Sequence, residues 1–310
     1  MNAIRISDVT MKQTGQDISL SFKEKIELSK LLDKLGVSVI ELEPIRQNKI
    51  DSLLVKSVAA AVKESIVAVP VALNAESVRL TWNALKEAKK ARLQICAPVS
   101  SVQMEYLFHK KPDAMISAIR ETIAEACRYC QDVEFVADDA TRSDAAFLYE
   151  AVSAAMEAGA KTITICDTAG AMLPNEFTAF IRELYANVPS LADVCLGISC
   201  SDQLSMADAC AIAAVRYGAR ELKAASYRLD NISLPNVARA LCAKGDVYGV
   251  SCSVRTTQMK RITDQIAWMC RTGRSKSSPF DYGVREDDGS LYLTAHDDLS
   301  AVMKMVATLG

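Results

Sequence analysis

The clearest hydrophobic pattern in the chain is a strand–helix–strand unit between residues 133 and 170. Val133–Ala137 and Thr162–Cys166 are short and rich in β-branched residues, which predicts two buried strands. The segment between them carries apolar residues at helical spacing: Phe147, Leu148, Ala151, Val152 and Ala155. A connecting helix makes the two strands parallel, so their carboxyl ends share one rim, where ligands bind in parallel α/β folds. The polar residues that follow the strands at this rim are Asp138, Asp139, Asp167 and Thr168.

The same alternation recurs along most of the chain, with strands roughly 30 residues apart, as expected for one parallel strand and its returning helix. The predicted strands are Ala3–Asp8, Val37–Glu43, Ile66–Leu73, Leu93–Pro98, Val133–Ala137, Thr162–Cys166, Val194–Cys200 and Glu221–Ala225. An open, doubly wound sheet would use the same elements, but no glycine-rich turn follows the first strand to hold a dinucleotide phosphate. We therefore predict an α/β protein built as a (β/α)8 TIM barrel.

Capping residues predict the limits of the first helix, and the length of one connecting segment predicts a loop at the rim. Ser21 is a typical N-cap and Gly36 a typical stop, which predicts a helix that ends at Leu35. The stretch Val99–Lys111 is longer than the usual connection in such folds and is predicted to be a loop at the rim. Long rim loops are often functional.

The pattern changes beyond Gly245, so we predict a barrel over residues 1–244 and a short α-rich extension over residues 245–310. The extension is predicted to contain a helix over Thr256–Cys270, a polar linker over Thr272–Ser278, a short strand at Leu291–Thr294 and a last helix. The helix over Thr256–Cys270 has enough apolar surface to pack on the barrel or on a second subunit. The extension is therefore a candidate dimer contact.

Composition and charge exclude some classes of function. The 310 residues carry a formal net charge of −2 with mixed signs, which gives no electrostatic footprint for nucleic acid or anionic membranes. No signal sequence opens the chain and no stretch of about 20 apolar residues is present to span a bilayer. The ten cysteines lie mostly in apolar segments, as is typical of a reducing compartment. These features predict a soluble, cytoplasmic protein without nucleic-acid or membrane partners.

Several stretches resemble the DRE-TIM metallolyase family, which includes 2-isopropylmalate synthase, homocitrate synthase and 3-hydroxy-3-methylglutaryl-CoA (HMG-CoA) lyase. The strongest are VEFVADDATRSD at 133–144 and EAGAKTITICDTAGAMLPNEF at 157–177. Weaker ones are ISDVTMKQTGQ at 6–16, LGVSVIELE at 35–43, LGISCSDQLSMADACAIAAVRYGA at 196–219 and SYRLDN at 226–231. The resemblance implies a TIM barrel that condenses acyl-CoA with a 2-oxo acid, or cleaves the product, with Mg²⁺ or Mn²⁺ polarising the 2-oxo acid.

The positions that bind the metal in this family carry different residues here. The family has Arg-Asp in the first loop, and this chain has Lys12 and Gln13. The family has His-x-His on the seventh strand, and this chain has Ser199 and Ser201. Neutral amide and hydroxyl groups do not offset the dehydration of a divalent cation as a carboxylate and two imidazoles do. We therefore predict no metal and no cofactor at these positions.

The resemblance also implies a set of site residues. Lys12 keeps a positive charge in the place of the family arginine, Glu134 matches a glutamate near the substrate, and Thr168 matches a threonine that contacts the substrate carboxylate. These three are the predicted catalytic residues, with an ion pair between Glu134 and Lys12 as the structural alternative. The predicted substrate-binding residues are Gln16, Glu43, Ser199, Ser201 and Arg228. The family's last loop is glycine-rich, whereas residues 226–231 lack those glycines, which leaves the use of acyl-CoA open.

Two classes of function follow. The first is a diverged enzyme that makes or breaks a carbon–carbon bond in a 2-oxo acid without a metal. Lys12 would stabilise an enolate or form a Schiff base, Thr168 would hold the carboxylate and Glu134 would assist proton transfer. The second is a pseudoenzyme that binds a small 2-oxo acid or dicarboxylate, as a homodimer or paired with an intact relative.

A third and minor hypothesis is a relocated cation site, which should prefer Mg²⁺ because all its ligands would be oxygen atoms. Its ligands would come from Asp8, Glu41 or Glu43, Asp167 and Asp202.

Overall fold

A computed structural model describes residues 2–12, 20–46, 48–227 and 230–272. Three predicted site positions, Gln13, Gln16 and Arg228, lie outside the described residues. The predicted linker, strand and last helix of the extension also lie almost wholly outside them. No helix in the described ranges is both long and apolar enough to cross a membrane.

Eight parallel strands close into a ring, which confirms the (β/α)8 TIM barrel. The strands are β1 (Asn2–Asp8), β2 (Val39–Glu41), β3 (Ile66–Val71), β4 (Ala91–Pro98), β5 (Val133–Asp138), β6 (Thr162–Asp167), β7 (Cys195–Cys200) and β8 (Glu221–Ala225). β1 pairs with β2 on one side, where Ser7 lies opposite Val39, and with β8 on the other, where Ile6 lies opposite Leu222. The ring therefore leaves none of these eight strands as an unpaired edge.

Helices that follow the strands cover the outside of the ring. They are α1 (Phe22–Leu35), α2 (Asn48–Ala61), α3 (Ala75–Leu85), α4 (Ser101–Tyr106), α5 (Pro112–Cys127), α6 (Ala145–Glu157), α7 (Pro174–Asn187), α8 (Ala207–Arg216) and α9 (Leu234–Tyr248). The predicted limits of α1 are confirmed: Ser21 and Glu24 form a capping box, and Gly36 adopts the left-handed conformation at φ 87°.

The predicted loop Val99–Lys111 contains α4, so the prediction of a fully irregular segment was wrong. The Ser100 hydroxyl accepts a hydrogen bond from the Gln103 amide at 3.4 Å, which caps the helix. A six-residue helix is too short for its apolar period to be recognised in the sequence. Tyr106 and Leu107, at its end, are exposed.

The compact unit continues past the predicted boundary after residue 244 and extends to Gly273. That boundary falls inside α9. The short strand β9 (Ile232–Ser233) precedes α9 and pairs with β8. After α9 come β10 (Val250–Cys252) and α10 (Thr256–Thr272). β10 pairs with the start of β1, and α10 packs on α1 and α9. Ile262 and Ile266 of α10 are buried within this chain. A dimer contact in the extension stays a prediction.

The barrel interior is polar at several inward positions and tightly packed around them. Thr164 on β6 donates a hydrogen bond to Glu134 on β5 at 2.6 Å. Gly197 on the neighbouring β7 leaves room for this hydroxyl, because a Cβ at that position would lie 2.2 Å from Thr164 Oγ1. A glycine here is thus required by close packing against the polar core.

We expect Gly197→Ala to destabilise the fold by about 3 kcal/mol, because the added methyl overpacks a site held between two strands. The measurement is urea-induced unfolding followed by circular dichroism. The control is Gly249→Ala, where the Cβ would meet nothing within 4 Å and only the positive φ of 66° is unfavourable. That change should cost about 1 kcal/mol. Equal losses in the two variants would show that the Thr164 contact does not constrain position 197.

Candidate active site

A polar cavity of about 210 Å³ opens at the carboxyl ends of the strands. It is lined by Val9, Lys12, Glu41, Val136, Asp138, Thr164, Cys166, Ser199, Lys223 and Asn231. These residues come from β2, β5, β6, β7, β8 and the segments that follow β1 and β8. The location is the one at which parallel barrels bind their ligands, so the prediction of a site at this rim agrees with the position of the cavity.

Lys12 is the cation at the mouth of the cavity. The segment after β1 turns back, with the Lys12 amide donating to the Val9 carbonyl at 3.0 Å. The Lys12 ammonium then donates to Glu41 Oε2 at 2.8 Å and to Gln94 Oε1 at 3.2 Å. Its side chain is 26% exposed. Two of the three N–H donors are thus used within the described residues, and one is left for a ligand.

The charge state of Lys12 follows from its surroundings. Burial is the largest single influence and lowers the pKa of Lys12, but the Glu41 carboxylate, the Cys96 thiol and the hydrogen bond to Glu41 together outweigh it, so the pKa lies well above its ordinary value. Burial likewise raises the pKa of Glu41, and Lys12 and Lys223 together bring it well below its ordinary value. Both groups are charged at neutral pH, which does not fit Lys12 as a Schiff-base nucleophile.

A balanced network of buried charges lies beneath the cavity. Lys223 Nζ approaches Glu41 at 2.6 Å, Glu134 at 2.6 Å and Glu221 at 2.9 Å. Arg92 Nη1 approaches Glu134 at 3.2 Å and Glu221 at 2.7 Å. With Lys12 added, three cations face three carboxylates. The three Lys223 donors are consumed by the three carboxylates, so Lys223 organises this network and has no donor left for a ligand.

The network depends on the pairing of its charges, although Arg92 Nη2 and Glu221 Oε2 have no hydrogen-bond partner among the described residues. Arg92, Glu41, Glu134 and Glu221 are fully buried. Burial raises the pKa of Glu221, but Arg92 and Lys223 outweigh it and hold that pKa well below its usual range. Burial lowers the pKa of Arg92, and the opposing carboxylates raise it well above its usual range. Removing one partner would leave an opposite charge in a medium that cannot solvate it.

Asp138 is the titratable acid of the cavity. Burial raises the pKa of its carboxyl to about 6, although Lys12 and a hydrogen bond from Cys166 each lower it. Burial also raises the pKa of the Cys166 thiol well above its ordinary value, so the thiol stays protonated. An acid that titrates near neutrality beside a fixed ammonium has the properties of a general acid or base.

Glu134, a predicted catalytic residue, lies below the cavity and not in its lining. Oε1 meets Lys223 and Thr164, and Oε2 meets Arg92 and Gln94, so both oxygens are occupied. The alternative ion pair with Lys12 was wrong, because Lys12 pairs with Glu41 instead. The fully paired Glu134 carboxylate is poorly placed to exchange a proton with a ligand.

The other predicted residues divide between the cavity and its surroundings. Ser199 lines the cavity. Ser201 does not, and its amide donates to the Asp167 carbonyl at 3.0 Å. Thr168 is exposed at the rim, outside the lining, and its hydroxyl accepts from the Asp139 amide at 2.9 Å. Glu43 pairs with Lys25 at 3.2 Å, away from the lining.

The carboxylates of the relocated-cation hypothesis have separate structural partners. Asp8 accepts from the Thr10 and Ser226 amides, each at 3.0 Å. Asp202 accepts from the Ala207 amide at 3.0 Å. Within the described ranges, no three acidic, histidine or cysteine side chains form a group that could hold a metal ion. The hypothesis of a cation bound by these carboxylates was therefore wrong for the described residues.

The main residues that the sequence analysis missed are Arg92, Gln94, Glu221 and Lys223, while Asp138 was noted at the rim but given no role in the site. A signal was present, because Arg92 and Gln94 on β4, and Glu221 and Lys223 on β8, are polar residues two positions apart in otherwise apolar strands. Period-two spacing places such pairs on one face of a strand, here the barrel interior. Charged residues at inward positions of several strands indicate a buried ionic network.

The fold and the cavity define a (β/α)8-barrel protein with a polar site at the carboxyl ends of its strands. The HMGL-like family matches residues 3–266. The chain therefore belongs to the HMGL-like family, which confirms the resemblance to the DRE-TIM metallolyases.

Individual relatives agree with this assignment. The 2-isopropylmalate synthase of Carboxydothermus hydrogenoformans is 32% identical over 273 residues, which are 86% of this chain and 54% of the synthase. The chain thus spans about half the length of that curated relative. A solved HMG-CoA lyase from Acinetobacter baumannii, in complex with coenzyme A and 3-methylmalate, has a TM-score of 0.68 at 13% identity, covering 94% of this chain and 98% of the lyase.

A third comparison shows the same fold. The carboxyl transferase domain of Rhizobium etli pyruvate carboxylase, solved with pyruvate, has a TM-score of 0.63 at 13% identity. The match covers 88% of this chain and 48% of that one.

We expect Arg92→Met to destabilise the protein by about 3 to 5 kcal/mol, because Glu134 and Glu221 would keep buried charge without the guanidinium. Chemical denaturation measures the loss, and adding Glu221→Gln should recover part of it. The control is Arg120→Met, which breaks the exposed pair with Glu157 at 2.7 Å and should cost less than about 1 kcal/mol. A similar cost for both arginines would mean that the buried pairing contributes no more than a surface pair.

We expect Asp138→Asn to stabilise the fold by about 3 kcal/mol at pH 7, and by almost nothing below about pH 3. The wild-type carboxyl has a pKa of about 6 when folded and 3.8 in the reference state. The folded state therefore binds the proton more tightly, and wild-type stability falls as pH rises between these values. Urea unfolding at several pH values tests this, with the exposed Asp113→Asn as control. A stability difference that is independent of pH would contradict the assignment.

Proposed function

We propose that this protein binds a small 2-oxo acid in the cavity and makes or breaks a carbon–carbon bond in it without a divalent metal. Lys12 supplies the positive charge for the reaction. The observation that carries this proposal is the Lys12 ammonium, which lines the cavity with one N–H donor unused by the described residues. The named relatives support the ligand class, since one is a 2-isopropylmalate synthase and two solved structures hold 3-methylmalate or pyruvate.

The size of the cavity favours a small ligand. At about 210 Å³ it is smaller than the roughly 300 to 1,000 Å³ typical of sites for drug-sized molecules. A short 2-oxo acid or dicarboxylate suits this volume, whereas coenzyme A would have to place most of its bulk outside. The proposal includes acyl-CoA as a co-substrate only with most of the coenzyme lying outside the cavity.

The donor set of the cavity does not fit a divalent cation. Mg²⁺ and Mn²⁺ favour charged oxygen ligands or imidazoles, and the position of the family histidine in this cavity is occupied by the neutral Ser199. Two carboxylates line the cavity, and one of them, Glu41, is already shared between Lys12 and Lys223. Two ammonium groups also repel an incoming cation. The residues therefore support the Lys12 ammonium, and not a metal ion, as the group that stabilises an anionic oxygen of the ligand.

The residues suggest how such a reaction would proceed. The free Lys12 donor would hydrogen-bond an anionic oxygen of the 2-oxo acid and stabilise the negative charge that develops as an enolate forms. Asp138 would take the proton from the carbon next to the carbonyl and return it in the reverse step. Ser199 on β7, which only β8 separates from β1 in the ring, can donate a further hydrogen bond to the ligand. Glu134 acts through Lys223 in this scheme and does not touch the ligand.

A second candidate function uses the same cavity for binding without turnover. It is favoured because the buried ionic groups are largely paired with one another, and among the described residues only Lys12 and Asp138 keep ionic capacity for a reaction. In this case the protein would sense a small carboxylate, as a homodimer or beside an intact relative. Both candidate functions predict that the ligand binds, so a measurement of turnover is needed to distinguish the enzyme from the binding protein.

The test is isothermal titration calorimetry of chelator-treated protein with pyruvate, 2-oxobutyrate and 2-oxoisovalerate. We expect at least one to bind without added metal, and Lys12→Met to weaken its binding by about tenfold or more, the loss of one charge-assisted hydrogen bond. The control is Lys25→Met, which breaks a pair with Glu43 outside the cavity. Binding that requires Mg²⁺ or Mn²⁺, or that ignores Lys12→Met, would refute the proposal. Release of free thiol from acetyl-CoA in the presence of the bound acid would distinguish the enzyme from the binding protein.

A further inference from the structure

Glu41 occupies an unusual position between two ammonium groups. Its Oε2 lies 2.8 Å from Lys12 Nζ, and its Oε1 lies 2.6 Å from Lys223 Nζ and accepts from the Ser7 hydroxyl at 2.7 Å. The residue ends the short strand β2 and is fully buried, so the carboxylate has no freedom to turn to solvent. Lys12, Glu41 and Lys223 therefore form one continuous ionic chain.

We propose that Glu41 is a positioning residue that locks Lys12 in its charged form, so that the cavity holds a 2-oxo acid by charge and does not join it through an imine. This inference rests on the proposed function for its ligand, but the role assigned to Glu41 can be tested without any ligand. It separates the two roles of Lys12 that the sequence leaves open, enolate stabilisation and Schiff-base formation.

Each group near Lys12 acts on its proton in a definite direction. The groups are Glu41 from β2, Gln94 and Cys96 from β4, Asp138 from β5, Cys166 from β6 and Lys223 from β8. Burial and the Lys223 charge both favour the neutral amine. Burial raises the pKa of Cys96 to about 12 and that of Cys166 well above its ordinary value, so both thiols are uncharged at neutral pH. Gln94 is neutral.

Among the described residues, the two carboxylates are then the groups that favour the ammonium. Glu41 is in direct contact with Lys12, and Asp138 contributes once it is ionised. With Glu41 replaced by neutral, isosteric glutamine, burial and Lys223 would dominate, and Lys12 would become a neutral amine. A neutral amine in this cavity could add to the C2 carbonyl of a 2-oxo acid and lose water to give an imine. The single carboxylate thus selects between two chemistries of one lysine.

The first experiment measures the charge state of Lys12 without a ligand. Isocyanic acid, formed from cyanate, adds to neutral amines to give a carbamyl group, and peptide mass spectrometry follows the reaction at each lysine. At pH 8 we expect Lys12 in the wild type to react about tenfold slower than the exposed Lys86, and Glu41→Gln to accelerate Lys12 by about tenfold or more. A wild-type Lys12 that reacts as fast as Lys86, or a folded Glu41→Gln variant without acceleration, would overturn the proposal.

The wild type also provides a test that needs no variant to fold. Acetic anhydride also acylates only the neutral amine and has no ionisation of its own in this range, so between pH 8 and pH 10.5 its rate with the exposed Lys86 should rise, while its rate with Lys12 should stay low throughout. Parallel rise of both rates would overturn the proposal. If Asp138 holds part of the charge, the double variant Glu41→Gln/Asp138→Asn should react faster still than Glu41→Gln.

The second experiment uses pyruvate and sodium borohydride, whose hydride reduces the C=N bond of an imine to a stable secondary amine. We expect an adduct on Lys12 in Glu41→Gln and none there in the wild type, with Glu41→Gln/Lys12→Arg as the control that forms none. An adduct on wild-type Lys12 would refute the role of Glu41. If the 2-oxo acids do not bind the wild type at all, the proposed function fails, and the cyanate rates still decide the role of Glu41.

Discussion

The structure depends on the pairing of opposite charges inside the barrel. Three cations and three carboxylates meet beneath the cavity, and most of them are fully buried. Such a network does not guarantee stability, because apolar residues of similar size often serve as well or better. It does fix geometry, because moving one charged group away would leave its partner buried without an opposite charge. The position of Lys12 at the cavity mouth is set by this requirement.

The network also limits what the cavity can do. Glu134 and Lys223 are saturated by their partners, so the groups left for a ligand are few: the third donor of Lys12, the Asp138 carboxyl and the Ser199 hydroxyl. The site has a cation in place and an acid that titrates near neutrality. This combination of a fixed ammonium and a titratable acid is the one on which the proposed enolate chemistry would depend.

The fold could be predicted from the sequence because strands and helices alternate regularly along the chain. Eight such strand–helix pairs are the number that a closed barrel requires. The site was harder. The resemblance identified Lys12 and Ser199, which line the cavity, but it also selected Glu43, which lies beyond the end of β2 and so outside the inward alternation. Arg92 and Lys223 were missed because their pairing depends on which strands become neighbours across the ring. The spacing of polar residues along a strand shows which face of the strand they occupy, but not which residues of other strands they contact.

The closing of the ring has a consequence for synthesis of the chain on the ribosome. β1 pairs with β8 and β10, which are made last in the compact unit, and Glu41 emerges long before Lys223. Until β8 and β10 have been synthesised, β1 lacks hydrogen-bond partners on one side. Glu41 also lacks Lys223, one of the two ammonium groups that compensate for its burial. Contacts of such long sequence separation form slowly. The nascent barrel should therefore stay open and hydrated at its centre, and the cavity should appear only as a final, all-or-none event.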